Sequence, residues 1–245
     1  KASDLEKVSA NKVQDRLSPV METVSRLKEK LPKGFPLIGF AGAPWTVAVY
    51  AIEGRGGTDK SKPKLWAYTR PDDLKFVLDI ITDATVEYLK AQVDAGVDAL
   101  MLFDSWAENL PSNVFPWIVT DPTRKIVEKL RADGVTVPII GFARGSGAML
   151  PAYAAGTGVN AVGLDTGQVL EFVNESLPKG FPVQGQLDPL SLQAGGQQML
   201  DRTTEIIDAY RADNRPLVFN LGHGINPHVP PEHVEQLMAH IQAMG

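Results

Sequence analysis

The chain contains no cysteine among its 245 residues. That removes disulfides, thiol nucleophiles, iron–sulfur clusters and every zinc site built on thiolates. It fits a reducing compartment. No apolar run is long enough to span a bilayer, and no stretch reads as a signal peptide, so the cytoplasm is the expected location. Basic charge is in deficit, with 24 Lys and Arg against 29 Asp and Glu and a net charge of −5. That argues against general binding to nucleic acid or anionic membrane, which needs clustered cations, and leaves room for a local basic pocket. Neither G-x-G-x-x-G after the first apolar segment nor G-x-x-x-x-G-K-[ST] anywhere is present, so the usual phosphate cradles of nucleotide-binding sheets are missing. No Ser/Gly/Pro-rich linker, low-complexity run or internal repeat divides the chain, and residues 1–245 read as one domain.

What is present is enough apolar material for one large core, at 44% hydrophobic and 22% charged residues. Short apolar segments alternate with capped amphipathic ones. Pro36–Phe40, Ala99–Phe103, Val137–Phe142, Ala161–Leu164, Phe181–Gln184 and Leu217–Phe219 read as strands buried on both faces. Between them, Asp121 reads as an N-cap with Pro122 in the first turn, Ile126, Val127 and Leu130 follow at helical spacing, and Gly134 stops the helix. The stretch from Asp72 to Gly96 repeats that grammar, with Leu74, Leu78 and Ile81 on one face.

Strand and helix alternating in this way predict a parallel sheet with helices outside it. Polar groups gather where the strands end: Asp104 and Ser105, Arg144, Asp165, Gln186 and Asp188, and Asn220 to His223. Any one of them alone is an ordinary cap or turn residue. Together they favour a (β/α)8 TIM-type barrel, whose active site is built at the C-terminal ends of its strands. Such a barrel has eight strands, and six are legible. The sequence opens instead on helical material, Lys1 to about Ser9 and then a helix led by Ser18-Pro19, and it begins on lysine. The expectation is a barrel that lacks its N-terminal strand region in this chain.

Five ordered segments carry a resemblance: G-F-A-G-A-P-W-T-V-A-V-Y-A-I-E-G (39–54), L-F-D-S-W-A-E-N-L (102–110), G-L-D (163–165), Q-G-Q-L-D-P (184–189) and N-L-G-H-G-I-N-P (220–227). Together they resemble the uroporphyrinogen decarboxylase family of haem and chlorophyll biosynthesis. The resemblance implies a distorted (β/α)8 barrel, a homodimer, no metal and no cofactor, and conversion of the four acetate arms of uroporphyrinogen III to methyls, giving coproporphyrinogen III. It also shows departures. The family's R-Q-A-G-R-Y motif, which grips substrate carboxylates, and its F-S-D-I motif, whose aspartate receives the pyrrole N–H groups, are both absent. Gln186 stands where the family has asparagine, and Arg144 where lysine is common. Turnover by this chain alone is therefore doubtful.

The residue types suit the chemistry that the resemblance implies. Losing carbon dioxide from an acetate arm drives an electron pair into the pyrrole, so the ring must first be protonated and become its own electron sink. A fixed carboxylate near the ring nitrogens would stabilise that cation. The resemblance assigns substrate contact to Tyr50, whose phenol can donate to a carboxylate or relay a proton. Ser105 can donate to a carboxylate oxygen, and Arg144 can pair with one. A histidine titrates near neutrality, so one at position 223 can hold a carboxylate or pass a proton, and Gly222 and Gly224 let the backbone turn beside His223. Phe40 and Phe103 would wall the tetrapyrrole. The catalytic candidates are thus Tyr50 and His223, and the substrate-binding candidates are Tyr50, Ser105, His223, Phe40, Phe103 and Arg144. His228, His233 and His240 read as surface or helix-edge residues, the last two beside the stripe Val234, Leu237, Met238 and Ile241. Two alternatives stay open: an inactive porphyrinogen-binding fragment, and a corrinoid-linked methyltransferase of the same superfamily, against which the missing cysteine counts.

Overall fold

The computed structural model describes residues 13–54, 59–108 and 110–245, which form two compact units, one running to Asn160 and the other from Ala161 to Gly245. The expected helix at Lys1 to Ser9 lies outside the described residues. In the first unit, α1 (Val13–Lys30), β1 (Ile38–Gly42), α2 (Pro44–Glu53), α3 (Ser61–Thr69) and α4 (Pro71–Asp94) precede β2 (Ala99–Asp104). A π-helical turn at Pro116–Thr120 runs directly into α5 (Asp121–Ala132), followed by β3 (Ile139–Ala143) and α6 (Leu150–Thr157).

The three strands of this unit are parallel, with Phe40 opposite Met101 and Phe103 opposite Phe142. Side chains alternate faces along a strand, so Phe40, Met101, Phe103 and Phe142 share one face. The other face meets helices, and its glycines let them close in: a Cβ on Gly39 would lie 2.7 Å from Gln92 Oε1, and one on Gly141 2.6 Å from the Tyr153 hydroxyl. Gln92 stands in for a neighbouring strand at β1, since its amide accepts from Phe40 N and donates to Phe40 O, each at 2.9 Å. The exposed ladder groups of an outer strand are thereby satisfied without leaving an open edge there.

Helix α4 follows its sequence signals. Pro71 opens it, Asp72 and Asp73 sit in the first turn against the positive end of the helix dipole, and Gly96 just beyond its end takes φ 104°. Leu74, Leu78 and Ile81 are buried as expected. Two starts differ from expectation. Helix α1 begins at Val13, so Ser18-Pro19 does not lead it and Pro19 lies inside. Asp121 is not a cap, because Thr120 before it is already helical (φ −69°, ψ −50°); its carboxylate instead sits 3.2 Å from Arg124.

In the second unit β4 (Ala161–Gly163), α7 (Leu170–Ser176), β5 (Val183–Leu187), α8 (Pro189–Ala194), α9 (Gly196–Ala212), β6 (Leu217–Leu221) and α10 (Pro231–Met244) follow one another. Its strands are again parallel, β4 pairing β5 and β5 pairing β6. Val162, Val173, Val183, Leu187, Met199, Ile206 and Tyr210 form its core. Buried Arg215 is held by five acceptors: Asn174 Oδ1 (3.0 Å) and O (3.4 Å), Pro178 O (3.1 Å), Phe181 O (2.8 Å) and Asp213 Oδ2 (2.7 Å).

The α/β class with parallel strands stands, and the strand limits move. β5 runs on to Leu187 and β6 to Leu221, so Gln186 and Asn220 lie inside strands rather than after them, and Asp104 is the last residue of β2. Burial on both faces holds throughout β3 and β5 but not in β1 or β6, where Phe40 and Val218 are 60% and 49% exposed.

Candidate active site

In the first unit the site residues are set by the way α2 meets the end of β2. Pro44 starts α2 and Trp45 is wholly buried, its indole N–H donating to Trp106 O at 2.8 Å. Within the first turn of the helix, Thr46 donates both its backbone N–H (3.0 Å) and its hydroxyl (2.7 Å) to Asp104 Oδ1, and the same hydroxyl accepts from Trp106 N at 3.1 Å. The turn that carries Ser105 and Trp106 is thus tied to the helix that carries Tyr50. The Tyr50 ring meets the edge of Trp106 at 6.0 Å between centroids and is half exposed. Lys60 Nζ lies 3.3 Å from the Trp106 ring centroid, a close cation–π contact.

Phe40 meets Phe103 edge-on at 5.8 Å, and Phe103 meets Phe142 likewise at 5.9 Å. Of the two expected walls, Phe40 is well exposed and Phe103 half-buried, so both present ring surface. Ser105 is half-buried in the turn after β2. Arg144, also half-buried, follows β3 with its backbone N–H on Asp104 O (3.2 Å), and its Nε lies 3.7 Å from Glu108 Oε2. An acid therefore already stands near the guanidinium. The first unit brings Phe40 to Phe103, and Tyr50 to the turn of Ser105.

Asp104 is fully buried, and its Oδ2 carries no hydrogen bond. Desolvation pushes its pKa up to about 7, while the two bonds from Thr46 pull the other way.

In the second unit, His223 is exposed and follows β6 in a bend. The flanking glycines do not take positive φ. Gly222 is needed because a Cβ there would stand 2.6 Å from Thr166 N and 3.0 Å from Asp165 C, whereas a Cβ on Gly224 would meet nothing within 4 Å. The reason for the first glycine is thus close passage of the segment after β4, not a left-handed turn. Asp165 is nearly buried and accepts Gly167 N–H at 2.8 Å on Oδ1; Asp188 caps α8, accepting Leu190 N–H at 2.8 Å. Gln186 is buried, donating to Gln168 O and accepting from the Tyr210 hydroxyl, so this departure from the family pattern is knitted into the core. His233 and His240 are not merely surface residues: half-buried, they contact Leu192 O (3.0 Å) and Thr204 Oγ1 (2.8 Å).

The residues that sequence reasoning missed are Thr46, Trp45 and Lys60. Their partners lie 46 to 61 residues away, and no local pattern signals them. Among the described residues no cluster of three or more His, Asp or Glu side chains could hold a metal ion, and no helix is long and apolar enough to cross a membrane. A cavity of about 500 Å³ in the second unit, between α9, β6 and α10, is lined by Arg211, Arg215, Phe219 and Met244 and includes no candidate site residue.

Residues 1–244 match the family model described as uroporphyrinogen decarboxylase (URO-D). The chain is 60% identical over 236 residues to a uroporphyrinogen decarboxylase of Hyphomonas neptunium, covering 96% of this chain and 68% of that one. It is 45% identical over 237 residues to another from Maricaulis maris, covering 97% and 68%. Among solved structures, a methyltransferase from Methanosarcina mazei superposes with a TM-score of 0.75 at 22% identity, covering 94% of this chain and 65% of that one. That last likeness is one of fold.

Proposed function

The chain belongs to the uroporphyrinogen decarboxylase family, and from that premise we propose that it removes carbon dioxide from the acetate arms of uroporphyrinogen III, leaving methyls, without metal or cofactor. We read the parallel α/β architecture as part of one (β/α)8 barrel domain, acting as a cytoplasmic homodimer. The observation that carries the reading is family membership along almost the whole chain, and the strand-end geometry supplies the parts.

Each cycle consumes one proton and releases one carbon dioxide. A proton adds to a pyrrole carbon, the carbon–carboxyl bond breaks, its electron pair neutralises the ring, and the resulting methylene is protonated to a methyl as the ring carbon gives its added proton back and the pyrrole is restored. Ser105, Arg144 and the Tyr50 phenol hold substrate carboxylates as donors, and the exposed ring of Phe40 and the half-buried ring of Phe103 face the apolar macrocycle. His223 holds a carboxylate as imidazolium or passes a proton. Two strand-end carboxyls that could be asked to stabilise the cation, Asp104 and Asp188, have structural duties instead, since one is bonded to Thr46 and the other caps α8.

The test incubates reduced uroporphyrinogen III anaerobically with the 245-residue chain, and with the same chain extended at its N-terminus by a segment bearing the R-Q-A-G-R-Y and F-S-D-I motifs. Products are counted by their remaining carboxyls. The extended chain should convert eight-carboxyl substrate to four-carboxyl product, with and without a chelator. In it, His223→Ala should slow the later steps roughly 100-fold and let intermediates accumulate, the scale of a lost general acid–base. Tyr50→Phe should alter rate or product distribution by less. Normal turnover in both variants would remove them from the site.

A further inference from the structure

We propose that Asp104 and Thr46 are positioning residues, which orient the Ser105–Trp106 turn and the neighbouring Tyr50 for substrate. This rests on the decarboxylase reading, and it assigns a task to a buried carboxyl that the chemistry above leaves unused. A threonine hydroxyl has one hydrogen and can rotate. Here that hydrogen goes to Asp104 Oδ1 at 2.7 Å, so the oxygen is left to accept from Trp106 N at 3.1 Å. The carboxyl therefore sets the sense of the bond that pins the turn. A second bond to the same Oδ1, from Thr46 N at 3.0 Å, fixes the first turn of α2 against the end of β2.

The consequences reach two candidate residues, Tyr50 and Ser105, through Trp106. Trp106 O is held by the Trp45 indole at 2.8 Å, so the turn is gripped at both its N–H and its carbonyl. Tyr50, on the same helix as Thr46, rests its ring on Trp106. Ser105 lies between Asp104 and Trp106, so its hydroxyl is placed by whatever fixes its two neighbours. None of Asp104, Thr46 or Trp45 is exposed enough to touch substrate itself: they are 0%, 7% and 0% exposed.

The experiment compares Thr46→Val, Thr46→Ser, Asp104→Ala and Asp104→Asn in the chain extended at its N-terminus as above, with the extended chain as the unaltered reference. Two readouts are used: hydrogen exchange of the Trp106 backbone amide, and affinity for uroporphyrin III, a stable eight-carboxyl probe, measured well below each variant's melting temperature. Thr46→Val and Asp104→Ala should speed Trp106 exchange at least tenfold and weaken the probe about tenfold, while the amides of β3 keep their protection. Thr46→Ser and Asp104→Asn retain the hydroxyl and the accepting Oδ1, and should restore both. Probe affinity unchanged in Thr46→Val and Asp104→Ala would overturn the proposal, because the pair would then serve stability alone. No probe binding by the unaltered chain would overturn the decarboxylase reading, and the proposal with it.

Discussion

The two units satisfy their buried polar groups in different ways. In the first unit, the polar group at the end of β2 is a carboxyl satisfied on one oxygen only, by the start of α2. In the second, buried polarity is spread over neutral amides and a phenol, Gln186 with Tyr210 and Gln168, and over a cation with a full complement of acceptors at Arg215. An unpaired buried charge is costly and shifts its protonation; a fully bonded one is structural and keeps its charge. The difference teaches where to look for pH dependence and where to look for rigidity. Asp104 should titrate in the physiological range, and the Arg215 cluster should simply hold the second unit together.

Removing the Arg215 side chain tests that contrast most severely. Arg215→Ala leaves five acceptors without their donor, and should cost about 5 kcal/mol of stability, near the top of the range for breaking a buried ionic network. Urea unfolding measures it, and a loss under about 1 kcal/mol would show the cluster to be as dispensable as a surface pair.

Asp104 comes next. Below about pH 4 its carboxyl is protonated in folded and unfolded chain alike. Between 3.8, its ordinary value, and about 7, its value in the fold, the unfolded chain gives up the proton while the folded chain keeps it, so stability falls as pH rises and levels off above 7. The fall from this group is on the order of 4 kcal/mol. Asp104→Asn cannot titrate and should lose that part of the slope, gaining on the unaltered chain between pH 4 and 8 in urea unfolding. Parallel pH profiles for the two would mean that Asp104 ionises as freely in the fold as outside it.

The smallest effect separates the glycines beside His223. Gly222→Ala places a Cβ against the Thr166 backbone and should cost about 2 kcal/mol, as overpacking does. Gly224→Ala, with open space around it, should change the melting temperature by no more than a degree or two. Equal losses would mean that both glycines serve backbone conformation, as the sequence alone suggested.

Much of this was legible in the sequence, and the limits were local ones. Six strands and the helix read from Asp72 were legible because apolar runs, prolines and glycines act over a few residues. Strand ends were read too short at Gln184 and Phe219, because ladder pairing to a neighbour carries a strand through polar residues such as Gln186 and Asn220, and no propensity announces that. Asp188 was grouped with the polar residues that gather where strands end, and its carboxylate caps α8 instead.

The sequence by itself determined the α/β class, the order of strands and helices, the chemical character of the strand ends and the family. Only the tertiary structure decided which polar residue does what. Asp104 and Asp165 look alike in a sequence, each an aspartate at the end of an apolar strand. One meets Thr46, 58 residues away, in a dry interior that raises its pKa, and the other meets the N–H of Gly167 two residues on. Local chemistry is set by covalent neighbours, whereas desolvation and hydrogen-bond partners are set by whatever the packing brings alongside, and that is a property of the folded chain.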